Sequence, residues 1–202
     1  MRADTDNPIK DEKRLVALLK EGDETAFRLL IRTYRSRLYA IAYGITLDRE
    51  ESLDIVQDVF IKVYEKIHTF RGESSLATWL HRITVNLCLN WKRRWTRRFR
   101  WHHQPLEKED GMDYPELGTS EGVAEQLYEQ KELKHLLWRQ LQQLPGDARA
   151  VFVLKEVEGL SYDEIAKALN IKKGTVSSRL FYARKRLRTA LGKVFKNDVA
   201  RP

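Results

Sequence analysis

Apolar residues recur along this chain three and four positions apart, and runs that alternate every second residue are almost absent. That period belongs to helices buried along one face. Leu15, Val16, Leu18 and Leu19 predict a first helix from about Asp11 to Lys20, which Gly22 stops. Asp23 can cap a second, longer helix, because a short carboxylate accepts from the unpaired amides of a first turn. Its apolar stripe is Phe27, Leu30, Ile31, Tyr34, Leu38, Ile41, Ala42 and Ile45. A third helix starts near Arg49, with Leu53, Val56, Phe60, Val63 and Ile67 facing inward. Asp54, Gln57, Asp58, Ile61 and Glu65 leave it an exposed acidic and apolar side.

The stretch FRGESS (70–75) breaks the period, and Ser75 can cap a fourth helix that begins near Leu76 and runs into WKRRWTRRFRW (91–101). On a helical wheel Leu80, Ile83, Leu87, Trp91 and Trp95 fall on one stripe and are expected to cover the core. The opposite stripe reads Asn86, Asn90, Arg93, Arg94, Arg97 and Arg98: amides, then guanidiniums. Such a polar track suits bases followed by backbone phosphates. From His102 to about Gly122 prolines, glycines and acidic residues replace the helical period, the composition of an extended, self-repelling linker. Helical spacing resumes near Ala124. The expected fold is therefore all-α: two small helical domains, 10–98 and 124–195, joined by a flexible acidic linker, 99–123.

The C-terminal half carries GLSYDEIAKALNIKKGTVSSRLFYARKRLR (159–188). Gly159 suits a left-handed helix end, and Ser161 with Glu164 forms the S-x-x-E capping box of a short helix, 162–169. After NIKKG, Thr175 can cap a second helix. Ile165, Ala166, Leu169, Ile171, Val176 and Leu180 bury where the two cross, and Val176, Leu180, Ala183, Leu187 and Leu191 form the inward stripe. This is a helix-turn-helix. Ser177, Ser178, Arg179, Phe181, Tyr182, Arg184 and Lys185 are left on the outer face. Hydroxyls, guanidiniums and rings there fit a recognition helix in a major groove.

Composition narrows the chemistry. The formal charge of +8 over 202 residues favours a polyanionic partner, nucleic acid first. The single cysteine, Cys88, sits at helical spacing among apolar residues and reads as a small buried hydrophobe. No metal-ligand spacing, glycine-rich phosphate loop or nucleophile elbow occurs, so neither enzyme chemistry nor a cofactor nor a small-molecule substrate is expected. No apolar run approaches the roughly 18 residues of a membrane span, and the polar N-terminus has no signal-peptide core. A cytoplasmic location is expected.

The order of these segments resembles the extracytoplasmic-function (group 4) sigma factors of bacterial RNA polymerase. The likeness runs from about Leu15 to Leu191 and rests on DIVQDVFIKVYEKI, FRGESSLATWLHRITVNLCLNWKRR, LPGDARAVFVLKEVEGLSYDEIAKALN and IKKGTVSSRLFYARKRLR in sequence. It implies a region 2 helical bundle followed by a region 4 helix-turn-helix. The helix matching Glu51–Ile67 is implied to dock, through Asp54, Gln57, Asp58, Ile61 and Glu65, on the β′ clamp helices of core RNA polymerase. The β flap is implied as a second contact. Phe70, Arg71, Ser74 and Ser75 match the loop that captures a flipped base of the −10 non-template strand, assisted by Asn86, Asn90, Arg93, Arg94 and Arg97. Base extrusion costs about a few kcal/mol, which the pocket must offset. Ser177, Ser178, Arg179, Phe181 and Tyr182 match the −35 base-reading positions; Arg149, Lys172, Lys173, Arg184 and Lys185 are implied phosphate contacts. Many members carry a basic residue where this chain has Ser177, a departure from the family pattern at a −35-reading position. The linker resembles the acidic connector that threads toward the RNA exit channel, and an anti-sigma factor is a common partner. The residues alone also allow a stand-alone helix-turn-helix regulator binding operator DNA, which lacks an evident dimerisation surface. An RNA-binding adaptor leaves the recognition helix unexplained.

Overall fold

The structure, a computed structural model, describes residues 12–99 and 137–198. Seven α-helices are bounded within them: α1 (Glu12–Lys20), α2 (Glu24–Thr46), α3 (Arg49–Lys66), α4 (Leu76–Phe99), α5 (Gly146–Glu156), α6 (Tyr162–Leu169) and α7 (Lys173–Asp198). A 3-10 turn, Ile67–Thr69, follows α3, and residues 137–142 form a further helical segment. No strand occurs among the described residues. The fold is all-α, as the spacing predicts. The linker, 99–123, and the expected restart at Ala124 fall almost wholly outside the described residues.

Local signals act where the sequence puts them. Asp23 accepts from the Ala26 amide at 2.7 Å and Asp48 from Glu51 at 3.0 Å, capping α2 and α3. Ser75 Oγ accepts from the Thr78 amide at 3.2 Å at the start of α4, and the Glu12 carboxylate accepts from the Leu76 amide at 2.9 Å, tying α1 to that same end. The inward stripe of α2 is Ala26, Leu30, Tyr34, Leu38, Ile41, Ala42 and Ile45, with Phe27 and Ile31 at its margin.

Three expectations are corrected. On α3 Leu53 is exposed, while Ser52, Ile55 and Val59 are buried. Ser52 can be inside because its hydroxyl donates to the Asp48 carbonyl and lies 2.8 Å from Thr46 Oγ1, so no polar group is left unpaired. Trp95 is half exposed rather than core cover, its ring 6.5 Å from that of Trp91. Thr175 is not a cap: α7 has already begun at Lys173.

The two helical units are packed together. A continuous apolar core runs from Leu30, Leu38, Ile41 and Leu80 into Val151, Val153, Leu154, Ile165 and Leu180. Helix α2 lies against α5, and α4 lies against α6. The approach is close at Gly44, where an added Cβ would sit 2.8 Å from Val153 Cγ2. Such a seam excludes water from large apolar side chains, each contributing about 1.5–3 kcal/mol when fully buried.

One polar contact crosses the seam in its interior. After α5 the chain turns through Gly159, at φ +67°, a conformation glycine adopts without steric cost. That turn delivers Glu158 inward, where its carboxylate accepts from Arg37 of α2. The Glu158 side chain is only 4% exposed. His81 of α4 lies beside it, Nε2 at 4.0 Å from the carboxylate, with both ring nitrogens buried and unpartnered. Burial first, then the Arg37 charge, hold the His81 pKa down at about 4 from 6.5. The neutral ring is the native form. An unfolded chain binds a proton here between pH 6.5 and 4 that the folded chain refuses, so stability falls as pH drops through that window. The full loss, below pH 4, is about 3 kcal/mol. Urea midpoints at pH 7 and pH 4.5 should differ in that direction, and His81→Leu should reduce the difference.

Candidate nucleic-acid interface

The helix-turn-helix is built by local chemistry. Ser161 Oγ accepts from the Glu164 amide at 3.2 Å, and Glu164 Oε2 accepts from the Ser161 amide at 2.7 Å, the reciprocal capping box. The Ser161 hydroxyl, which donates to Glu164 Oε2 at 2.7 Å, and then the Ser161 amide hold the Glu164 carboxyl below its ordinary range. Asn170 ends α6 at φ 52°, left-handed, and turns the chain into α7. Val176, Leu180, Ala183 and Leu187 of α7 are buried as expected; the Leu191 side chain lies outside the described residues.

The outer face of α7 therefore points to solvent. Lys172, Lys173, Ser177, Ser178, Phe181, Tyr182, Arg184 and Lys185 are all exposed, Phe181 to 69%. Several of the cations are held by carboxylates on preceding helices. Arg179 donates to Asp147 at 2.9 Å, Lys173 to Asp163 at 2.8 Å, and Arg184 to Glu156 through both Nε and Nη2. The Glu156 pairing holds the Arg184 pKa up. Partly exposed pairs of this kind contribute about 0–1 kcal/mol. They orient the guanidiniums more than they stabilise the fold.

A second polar face lies on α4. Asn86, Asn90, Arg93 and Arg94 are exposed along it, and Arg93 donates weakly to Asn90 at 3.4 Å. Arg97 lies on α4 with its side chain outside the described residues. In the preceding loop Arg71 and Ser75 are exposed and Ser74 is half-buried. The third face is the outer side of α3, where Asp54, Gln57, Asp58, Ile61 and Glu65 are exposed together with Leu53 and Tyr64. The pattern along α3 missed these last two. Their exposure adds apolar area to the acidic face.

Two residues expected at a DNA surface are elsewhere. Phe70 is buried, its ring 5.3 Å from that of Trp79; its carbonyl accepts from Lys20 at 2.8 Å and its amide donates to the Ile67 carbonyl at 3.0 Å. It anchors the loop instead of offering a ring to a base. Arg149 is 3% exposed, turned into the structure from the first turns of α5. In this arrangement its guanidinium meets no backbone phosphate. Cys88 is fully buried and its thiol pKa is pushed up to about 12 by burial, as a structural cysteine requires.

A four-helix unit with an exposed acidic and apolar face on α3 and an amide–arginine track on α4, followed by a helix-turn-helix, defines a sigma-factor architecture. Residues 30–98 match the family described as Sigma-70 region 2, and residues 134–187 match Sigma-70, region 4. The ECF RNA polymerase sigma-E factor of Haemophilus influenzae is 35% identical over 176 residues, covering 86% of this chain and 91% of that protein. The RNA polymerase sigma-H factor of Pseudomonas aeruginosa is 32% identical over 182 residues, with 90% and 94% covered. The chain belongs to the ECF RNA polymerase sigma factor family. Sigma factors are initiation factors, and the protein is not an enzyme. Two solved structures share the fold. CnrH, in complex with the cytosolic domain of CnrY, superposes with a TM-score of 0.66 at 21% identity, covering 91% of this chain and 99% of that one. RpoE from Bartonella quintana, in complex with the anti-sigma factor NepR, gives 0.57 at 24% identity, covering 91% and 98%.

Proposed function

We propose that the protein binds core RNA polymerase and directs it to promoters through paired −35 and −10 elements. The observation that carries this reading is the exposure, on one chain, of two unlike DNA-suited faces in region 2 and region 4 order. The recognition face of α7 has the hydroxyls, arginine and rings of duplex readout. The α4 track has amides followed by guanidiniums, suited to a single strand and its phosphates. In this division residues 10–98 bind the polymerase and open the −10 element, 124–195 read the −35 duplex, and 99–123 connect them. The outer side of α3 offers Asp54, Asp58 and Glu65 around Leu53, Ile61 and Tyr64, complementary to a basic and apolar partner such as the β′ clamp helices. The β flap is the second polymerase contact, and an anti-sigma factor, as in the NepR complex, is the regulatory partner.

Promoter use requires the seam to open. Elements named for positions −35 and −10 lie about 25 base pairs apart, ~85 Å at 3.4 Å per pair. A packed body of roughly 150 residues is only ~40 Å across. The two readers cannot span both elements while α2 rests on α5.

Binding of a labelled promoter duplex by purified core polymerase, with and without the protein, tests the proposal. The protein should confer a promoter-specific shift that neither component gives alone. Within that assay Arg94→Ala should weaken capture of the −10 non-template strand and lower the slope of log K against log salt by ~0.7, the value for one phosphate contact on a single strand. An unchanged slope removes Arg94 from the phosphate contacts.

A further inference from the structure

Arg149 is nine-tenths buried and more, and its Nε has no hydrogen-bond partner. Its neighbour across the seam is a second cation, Lys92 of α4, itself half-buried. Lys92 lies over the start of α5: a Cβ added at Gly146 would be 3.1 Å from its Cδ and 3.7 Å from its Cε. Helix α5 spans 11 residues, and its first turn has no side-chain cap, because Pro145 occupies the cap position. A helix N-terminus carries partial positive charge and unpaired amides. Three sources of positive charge thus converge at one junction.

The charges there are only partly balanced from within. Dehydration and the Arg149 charge hold the Lys92 pKa down at about 8, and dehydration holds Arg149 down at about 10. Asp147, in the first turn of α5, works in the opposite direction on Lys92, but its Oδ2 accepts from Arg179 of α7. Neither Lys92 nor Arg149 makes an ion pair among the described residues. A guanidinium whose Nε is buried without a partner, beside a like charge, is a costly arrangement in a protein interior. In native structures such a group commonly signals an ion or water that completes it.

We propose that the junction of α4 with the N-terminus of α5 binds a phosphate-class oxyanion, held by Lys92, Arg149 and the first-turn amides of α5. A tetrahedral oxyanion has enough acceptor atoms to meet an ammonium, a guanidinium and helix amides at once. Chloride cannot bridge them directionally. Lys92 belongs to the first helical unit and Arg149 to the second, so the ligand clasps the seam. Only the consequence of that clasp rests on the promoter reading: the bound anion favours the packed arrangement over the one that spans two promoter elements, and keeps Arg149 from the DNA.

Thermal unfolding of the full chain, titrated with sodium phosphate at ionic strength held constant with sodium chloride, tests the site without polymerase or DNA. The wild type should show a saturable rise in midpoint, as one-site binding to the folded state demands. Lys92→Gln should weaken the apparent phosphate affinity by about tenfold, since one charge-assisted contact is lost. Lys92→Arg, which keeps the charge, should restore it, and Lys66→Gln on the exposed end of α3 should leave it unchanged. A parallel titration with a nucleoside monophosphate separates a site for the free anion from one that also takes a phosphate ester. Equal phosphate shifts in the wild type and Lys92→Gln, or no shift beyond that of chloride, overturn the proposal. Either result leaves promoter-specific initiation untouched.

Discussion

Glu158→Ala is expected to lower the unfolding free energy by about 2 kcal/mol and to loosen the contact between the two helical units. The wild-type carboxylate is buried and accepts from Arg37, which belongs to the other unit and is 31% exposed. Removing one partner of a fully buried pair costs about 3–5 kcal/mol, because the remaining charge is stranded. Arg37 is not fully buried and can regain water, which sets the lower figure. His81 cannot replace the lost negative charge, because an imidazole is either neutral or positive. Glu158→Gln, which keeps an acceptor for Arg37 without the negative charge, should lie between wild type and alanine. Urea unfolding reads the stability, and a pair of fluorescent labels on α3 and α7 reads the separation. An unchanged midpoint together with an unchanged distance distribution shows that this contact does not hold the seam in solution.

Arg179→Ala should reduce binding of a −35 duplex by about 10- to 100-fold, the ~1–3 kcal/mol carried by a good arginine–guanine contact. The side chain is pre-oriented by Asp147, so little ordering cost remains when it meets a base edge. Asp147 is 46% exposed and rehydrates when its partner is lost, so the domain stays folded. The loss should be largest on the preferred sequence and small on scrambled DNA. Equal losses on both make Arg179 a phosphate contact and move base recognition to Ser177, Ser178 and the rings.

The parts of this fold that were legible in the sequence are those decided within one helical turn. Asp23 and the Ser161–Glu164 box needed only a short polar side chain and an adjacent unpaired amide. Gly159 needed only its own backbone freedom. The inward stripe of α7 followed from period alone, and with it the exposed outer face. Errors arose where a neighbour outside the helix decided the outcome. Ser52 scored as polar, yet Thr46 and the Asp48 carbonyl satisfy it, so it displaced Leu53 from the core side. Phe70 sat in a polar loop, and nothing local showed that Trp79 would cover its ring. Arg149 is expected at the DNA backbone only because the resemblance implies a phosphate contact there. Its burial depends on α4 meeting α5 across more than fifty residues of chain, which no single helical wheel contains. The seam itself, with Gly44 against Val153 and Glu158 between Arg37 and His81, is a long-range event of the same kind.

The central claim is that this chain confers promoter choice on RNA polymerase. Run-off transcription with purified core enzyme tests it most directly, on templates carrying native, −35-scrambled and −10-scrambled promoters. The account predicts a transcript of defined start on the native template, dependent on the added protein and lost when either element is scrambled. Duplex binding by the protein alone, with no promoter-specific transcript from the core enzyme, would contradict it.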